Sequence, residues 1–302
     1  AALAPTAPAP TAAAAAAGSN ADLSGIKQYL VGKAADLRAA TTAIQSQTNR
    51  YYELARAANF DYPALWASQR ADTQQAIEQA RAAWVLASPL YEQMEGIVAG
   101  VPSLAQFDVD LDAGSSAAEG GDTVVSFDLA LPNGTTLAKP GNLFGVTESA
   151  LWGTYADFTA KNAPADLDGD GAVEFGEALP EANVLKASAD LLATKAADLA
   201  AAAQQWQPSE ADAFTALVVM VPTMTEYFDS WKNSRFVAGE SSQQRDFVAI
   251  SRLSDIQNIL GSLQVVHQGV SPLITRVDPA QDQQIGQQLS DQRPKAADGP
   301  LF

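Results

Sequence analysis

The sequence predicts an all-α protein. It is a helical bundle, or two packed four-helix bundles, with a small β-hairpin insertion and one EF-hand-like calcium loop. Three observations carry that expectation. Apolar residues recur at helical spacing over several long segments. An Asn-Gly turn sits between alternating residues at 125–137. The stretch DLDGDGAVEFGE, residues 166–177, has calcium-ligand spacing.

The elements follow in order. Residues 1–22, AALAPTAPAPTAAAAAAGSNAD, read as an Ala/Pro-rich tether of the kind that follows a processing site. The helical domain is expected over 23–292. Ile26, Leu30, Ala34, Leu37, Ile44, Tyr51 and Leu54 predict a first helix over 23–58. A second is predicted over 71–99, kinked or split at Pro89. Residues 101–141 change character. FDVDLD (107–112) alternates as a strand does, and TVVSFDLALPNGTTLAKPG predicts a hairpin. Val125, Phe127 and Leu129 share a face of it, and Asn133-Gly134 form the turn. Helices are expected at 143–160 and 181–206. Ser209 with Asp212 three residues on opens another that runs to about 233 and contains Pro222. Two more follow, over 243–271 and from Pro279 onward. Residues 293–302 end the chain as an extended tail.

In 166–177, Asp166, Asp168 and Asp170 fill ligand positions 1, 3 and 5, and Gly171 supplies the sharp turn. Ala172 offers a backbone carbonyl, Glu174 acts through water, and Glu177 is the bidentate ligand. The competing reading is a plain acidic surface turn. Pro164 and Pro180 bracket the loop closely and no second loop of this type exists to pair with it. A structural Ca²⁺ staple is therefore expected rather than a switch.

The chain has 302 residues with 18 Lys plus Arg against 35 Asp plus Glu, a formal charge of −17, which excludes nucleic-acid binding through clustered cations. It has no Cys and one His, so thiolate chemistry and any site with two His ligands are excluded. His267 lies among apolar neighbours and is expected to be a hydrogen-bonded structural residue. No apolar run reaches the length of a membrane span. The Ala/Pro start predicts an exported protein, at the periplasm or cell surface, whose signal has been removed. A lipid anchor upstream of residue 1 is compatible with it, as is a homo-oligomer or surface assembly held through the N-terminal arm.

Tyr91, Glu92 and Glu95 form a Y-E-x-x-E stretch. Glu148, Leu151, Trp152 and Gly153 close the segment FGVTESALWG, and SRLSDIQNILGSLQVVHQGVSPLITRVDPAQDQQI (251–285) follows later. Together these resemble the imelysin-like family, which includes the helical domain of periplasmic iron-uptake lipoproteins of the EfeO type. The resemblance implies a metal or peptidase site built on a G-x-H-x-x-E motif. Here Gly145 stands where the family has His, so Glu148 lacks an imidazole three residues back, and the metallopeptidase reading loses its ligand. Hard Fe³⁺ accepts all-oxygen sites, and Glu92, Glu95, Glu148 and Glu226 are the candidates. Alternatively, Glu92 and Glu95 are polar-face residues, and Glu148 is paired with Arg235 or Arg252. The expected function is a calcium-stabilised, non-catalytic binding protein of this type, with iron as the associated metal. A structural subunit of a surface assembly or filament is the alternative, and a metallopeptidase is a third, weaker one.

Overall fold

A computed structural model describes residues 21–116, 127–174, 176–233, 235–238, 241 and 252–291. The first twenty residues of the tether, Val125 and the C-terminal tail lie outside these.

Helix α1 (Ser24–Ala57) buries Ile26, Leu30, Leu37, Ile44 and Tyr51 in one stripe, as its periodicity requires. The chain reverses through Asn59 and Phe60, both at positive φ, into α2 (Tyr62–Val98). That helix starts nine residues earlier than expected. Asp61 caps it, its Oδ1 accepting from the Ala64 N–H at 3.0 Å, with Pro63 in the first turn. The break in α2 is not at Pro89, which stays within the helix. It falls at Gln69, with φ −135° and ψ 35°.

The expected strand at 107–112 is not one. Residues Ala105–Asp108 form a short helix, α3, which widens into a π-helical turn over Val109–Ala113. The alternation of Phe107, Val109 and Leu111 with three aspartates mimics a strand, but tertiary contacts of those aspartates hold the helical form. The hairpin is present. Strand β1 (Leu129–Ala130) pairs antiparallel with β2 (Thr136–Leu137), and Gly134 takes φ 85° in the turn.

Helix α4 (Leu143–Leu151) is shorter than the expected 143–160. Asn142 caps it through the Gly145 N–H at 2.7 Å, and Gly153 at φ 63° turns the chain out of it. Strands β3 (Thr159–Pro164) and β4 (Ala178–Pro180) then pair antiparallel. The acidic loop therefore hangs from a β-ladder and not between two helices as in an EF-hand.

Helices α5 (Ala182–Gln205), α6 (Glu210–Asn233), α7 (Arg235–Ala238), α8 (Arg252–Val277) and α9 (Pro279–Asp291) complete the chain. Ser209 and Asp212 cap α6 reciprocally, each donating its backbone N–H to the other's side chain at 3.1 Å.

Helix α1 packs on α2 and α5, α2 packs on α8, and α8 packs on α6 and α9. One large core fills the space among α1, α2, α4 and α5. A smaller one, with Met220, Met224, Ile259, Leu260 and Leu263, lies where α6, α8 and α9 meet. Helix α2 borders both. No helix among the described residues is long and apolar enough to cross a membrane.

Candidate metal centre

The C-terminal half of α2 is buried on nearly every side, and two of its buried residues are Glu92 and Glu95, at 2% and 1% exposure. Burying carboxylates without a use is unfavourable, so their neighbours matter. Small residues bring those neighbours close. A Cβ on Gly96 would overlap the Ser262 hydroxyl and come within 2.9 Å of Leu263, and one on Gly100 would lie 2.6 Å from the Ala216 Cα. Helices α8 and α6 thus approach α2 more closely than larger side chains would allow. They bring Asp255 and Tyr227 with them.

Oxygens of Glu92, Glu95 and Asp112 all lie within 4.8 Å of one another. Asp112 comes from the π-helical turn, a distortion found often at functional sites. Asp108, one turn earlier, accepts from the buried Tyr91 hydroxyl at 2.6 Å. Tyr227 donates to Glu95 Oε1. Asp110, between the two aspartates, is directed away, its carboxylate 2.7 Å from Lys195 Nζ on α5. Asp255 is buried on α8 and adds its charge to Glu92.

The electrostatics follow from this crowding. Burial raises Glu92 well above the ordinary carboxylate range, and the charges of Asp255, Glu95 and Asp112 raise it further. Glu92 keeps its proton and shares it with Glu95. Burial, and next the charge of Asp108, push Glu95 up to about 8. Asp108 reaches about 7, raised by burial and by Asp112 against the lowering effect of the Tyr91 hydrogen bond. Oε2 of Glu92 and Oε2 of Glu95 have no hydrogen-bond partner among the described residues. Three convergent carboxylates, two of them with an orphaned buried oxygen, fit a hard cation, which would supply the positive charge the cluster lacks.

The expected set of four is thus revised in composition. Glu92 and Glu95 come together, joined by Asp112. Glu226 is exposed on α6 and it is the adjacent Tyr227 that turns inward. Glu148 is buried on α4 at 5% exposure but stands outside the three-carboxylate set. The side chains of Arg235 and Arg252, its expected partners, lie outside the described residues. Helix α4 is held against α2 by aromatic contacts. Trp84 stacks edge-on with Phe144 and Trp152, at centroid distances of 6.2 and 5.2 Å. Gly145 sits in the capped first turn of α4. His267 is set apart from the carboxylate cluster and faces α9. It is 5% exposed, with Nε2 2.9 Å from Asp282 of α9.

The acidic loop is a separate place. Oxygens of Asp166, Asp168 and Glu177 lie within 4.8 Å of one another. Glu177 accepts from the N–H groups of Leu167, Asp168 and Glu174, and Asp170 from that of Ala172. Glu174 is exposed, as are Asp168, Asp170 and Ala172. Arg70 of α2 donates to Asp166 Oδ2 at 2.8 Å and to its carbonyl at 3.0 Å, and Gln74 donates to the Leu167 carbonyl at 2.7 Å. Arg81 bridges the carbonyls of Leu151 and Gly176, each at 2.9 Å.

No curated protein matches the chain. The family described as imelysin, peptidase M75, matches over residues 23–298, from the start of α1 past the end of α9. That span contains the Y-E-x-x-E stretch, the α4 segment and α8, and the chain belongs to the imelysin family.

Proposed function

We propose that the chain is an extracytoplasmic metal-binding protein. It takes a hard cation, Fe³⁺ foremost, on Glu92, Glu95 and Asp112, and it does no catalysis. The carrying observation is the convergence of those three carboxylates at a buried position, with an unpartnered oxygen on both Glu92 and Glu95. A cation there replaces the proton that Glu92 and Glu95 share and relieves the repulsion among the carboxylates. Tyr227 and Tyr91 hold Glu95 and Asp108 in place and would serve as outer-shell donors. Membership of a family often linked to iron uptake supports the choice of metal.

The same reading gives the loop at 166–177 a structural Ca²⁺, held by Asp166, Asp168, Asp170, the Ala172 carbonyl, Glu174 through water, and Glu177. Arg70 already neutralises part of Asp166, and Ca²⁺ would add to that neutralisation.

The test is titration of ferric citrate into chelator-stripped protein, followed by calorimetry. One binding event is expected. Glu92→Gln should weaken it at least about tenfold, as loss of a charged ligand does. Without metal, the same variant should melt close to the parent temperature, because the amide is neutral like the protonated carboxyl it replaces and can still donate to Glu95. Unchanged binding in Glu92→Gln would remove this cluster as the site.

A further inference from the structure

Tyr227 continues the row of α6 that holds the buried Ala216, Met220 and Met224, and its ring packs on the smaller core among α6, α8 and α9. The close approach of Ala216 to Gly100 sets that row against α2, and there the Tyr227 hydroxyl meets Glu95 Oε1. A phenylalanine would fill the same space. The hydroxyl is the part that packing does not account for. In the metal-free chain it is a neutral donor to one oxygen of Glu95, a role that serves any hard cation taken by the three carboxylates.

We propose that with Fe³⁺ Tyr227 exchanges this role for direct ligation, its phenolate oxygen joining Glu92, Glu95 and Asp112 on the metal. The inference rests on the reading of those three carboxylates as the metal site. Oxygens in neighbouring positions on a six-coordinate ion, each about 2.0–2.1 Å from it, stand roughly 2.9 Å apart. That is the length of a hydrogen bond. A hydroxyl bonded to an oxygen of Glu95 therefore already stands at the separation of a neighbouring ligand, and no helix has to move to bring it there. Three carboxylates bound through one oxygen each leave positions open on such an ion. Hard Fe³⁺ favours anionic oxygen in them, and tyrosine oxygen serves protein-bound iron elsewhere. On ligation the phenol O–H bond breaks, its electron pair forms the bond to iron, and the proton leaves to water. Iron stays ferric, so neither oxidant nor reductant is needed. Tyr227 is only partly buried, which gives the proton a way out. Tyr91 is not equivalent. Its hydroxyl goes to Asp108, outside the three-carboxylate set, and the whole residue is buried.

The experiment titrates ferric citrate into the chelator-stripped full chain, with calorimetry reading binding and visible absorption reading phenolate ligation in one series. Phenolate bound to Fe³⁺ gives a broad visible charge-transfer band, and carboxylate bound to Fe³⁺ does not. The parent should develop that band in step with the binding heat and reach a plateau at one iron per chain. Tyr227→Phe should lose the band and keep a ferric binding event weakened by about ten- to a hundredfold. Tyr91→Phe should keep the band. Affinity alone does not decide, because losing an outer-shell hydrogen bond costs a similar factor; the band does. Ferric binding to the parent without a band would overturn the inference and leave the carboxylate site standing. A band that survives in Tyr227→Phe would also overturn it and assign the ligation to another of the chain's seven tyrosines. Neither heat nor band in the parent would remove the carboxylate site itself, and this inference with it.

Discussion

Glu95 and Asp108 hold protons at pH values where carboxylates in water have long lost theirs. Their raised values, about 8 and about 7, set the direction of a pH effect. Below about pH 4 both are protonated folded or unfolded, and neither opposes folding. Between about pH 4 and 8 the unfolded chain has lost these protons while the folded one still holds them. Stability of the metal-free protein therefore falls as pH rises through that window, by on the order of a few kcal/mol. Asp166, Glu177 and Asp282 shift the opposite way, and their contributions are lost only under acid conditions, so they do not mask the effect. Urea midpoints measured from pH 5 to 8 in chelator should decline, and Glu95→Gln should flatten the decline. With a saturating cation the order inverts, because binding expels the protons and strengthens with pH. A flat profile for the parent would mean the cluster is ionised and already compensated. At this scale the sequence is partly legible. Glu92 and Glu95 stand out through the Y-E-x-x-E stretch. Asp112 does not, since its period-two neighbours disguise it. The only available signal was that Asp108 and Asp112 are four residues apart, as on a helix.

Among the elements, α2 shows what sequence patterns reach and where they stop. The register of α1, the N-cap of α6 and the Asn-Gly hairpin are all local chemistry, and all are legible. The early start of α2 was legible too, in Asp61 and Pro63, but outweighed by the weak apolar periodicity of 62–70. The strand pair flanking the acidic loop was not, because two short strands bracketed by prolines carry no alternation long enough to read. Close helix approach is likewise invisible until the fold is known. Gly96 and Gly32 are both helical glycines, and sequence alone would treat them alike. Gly32 has nothing within 4 Å of a would-be Cβ, whereas Gly96 is pressed against α8. Gly32→Ala should therefore stabilise by about 0.5–1 kcal/mol through lost unfolded-state freedom. Gly96→Ala should destabilise by about 1–3 kcal/mol by forcing α8 outward. It should also weaken ferric binding, because Asp255 moves with α8. Thermal melts of the two variants side by side check the sign of each. If both stabilise, the α2–α8 contact is looser than its geometry indicates.

For the whole molecule, α2 is the shared element between two clusters of carboxylates. Arg70, Gln74 and Arg81 dock the acidic loop on it, and Glu92 and Glu95 lie further along, all beyond the break at Gln69. Arg70 and Glu92 are about 33 Å apart along that segment. Calcium should clamp the loop to α2 without altering anything that touches Glu92. At millimolar Ca²⁺, a site of 10–100 µM affinity contributes about 1.4–2.7 kcal/mol. For a domain of this size that raises the melting temperature by several degrees. Asp168→Asn combined with Glu177→Gln should abolish the rise. Distant sites with no shared partner add, so ferric affinity with and without Ca²⁺ should agree within about twofold. A physical connection that could defeat additivity is Arg81, which ties the Gly176 carbonyl at the loop's end to the Leu151 carbonyl at the end of α4. If Ca²⁺ changes ferric affinity tenfold, the change must be reciprocal, with iron shifting calcium affinity equally. Arg81→Met should then remove the coupling while leaving both sites able to bind.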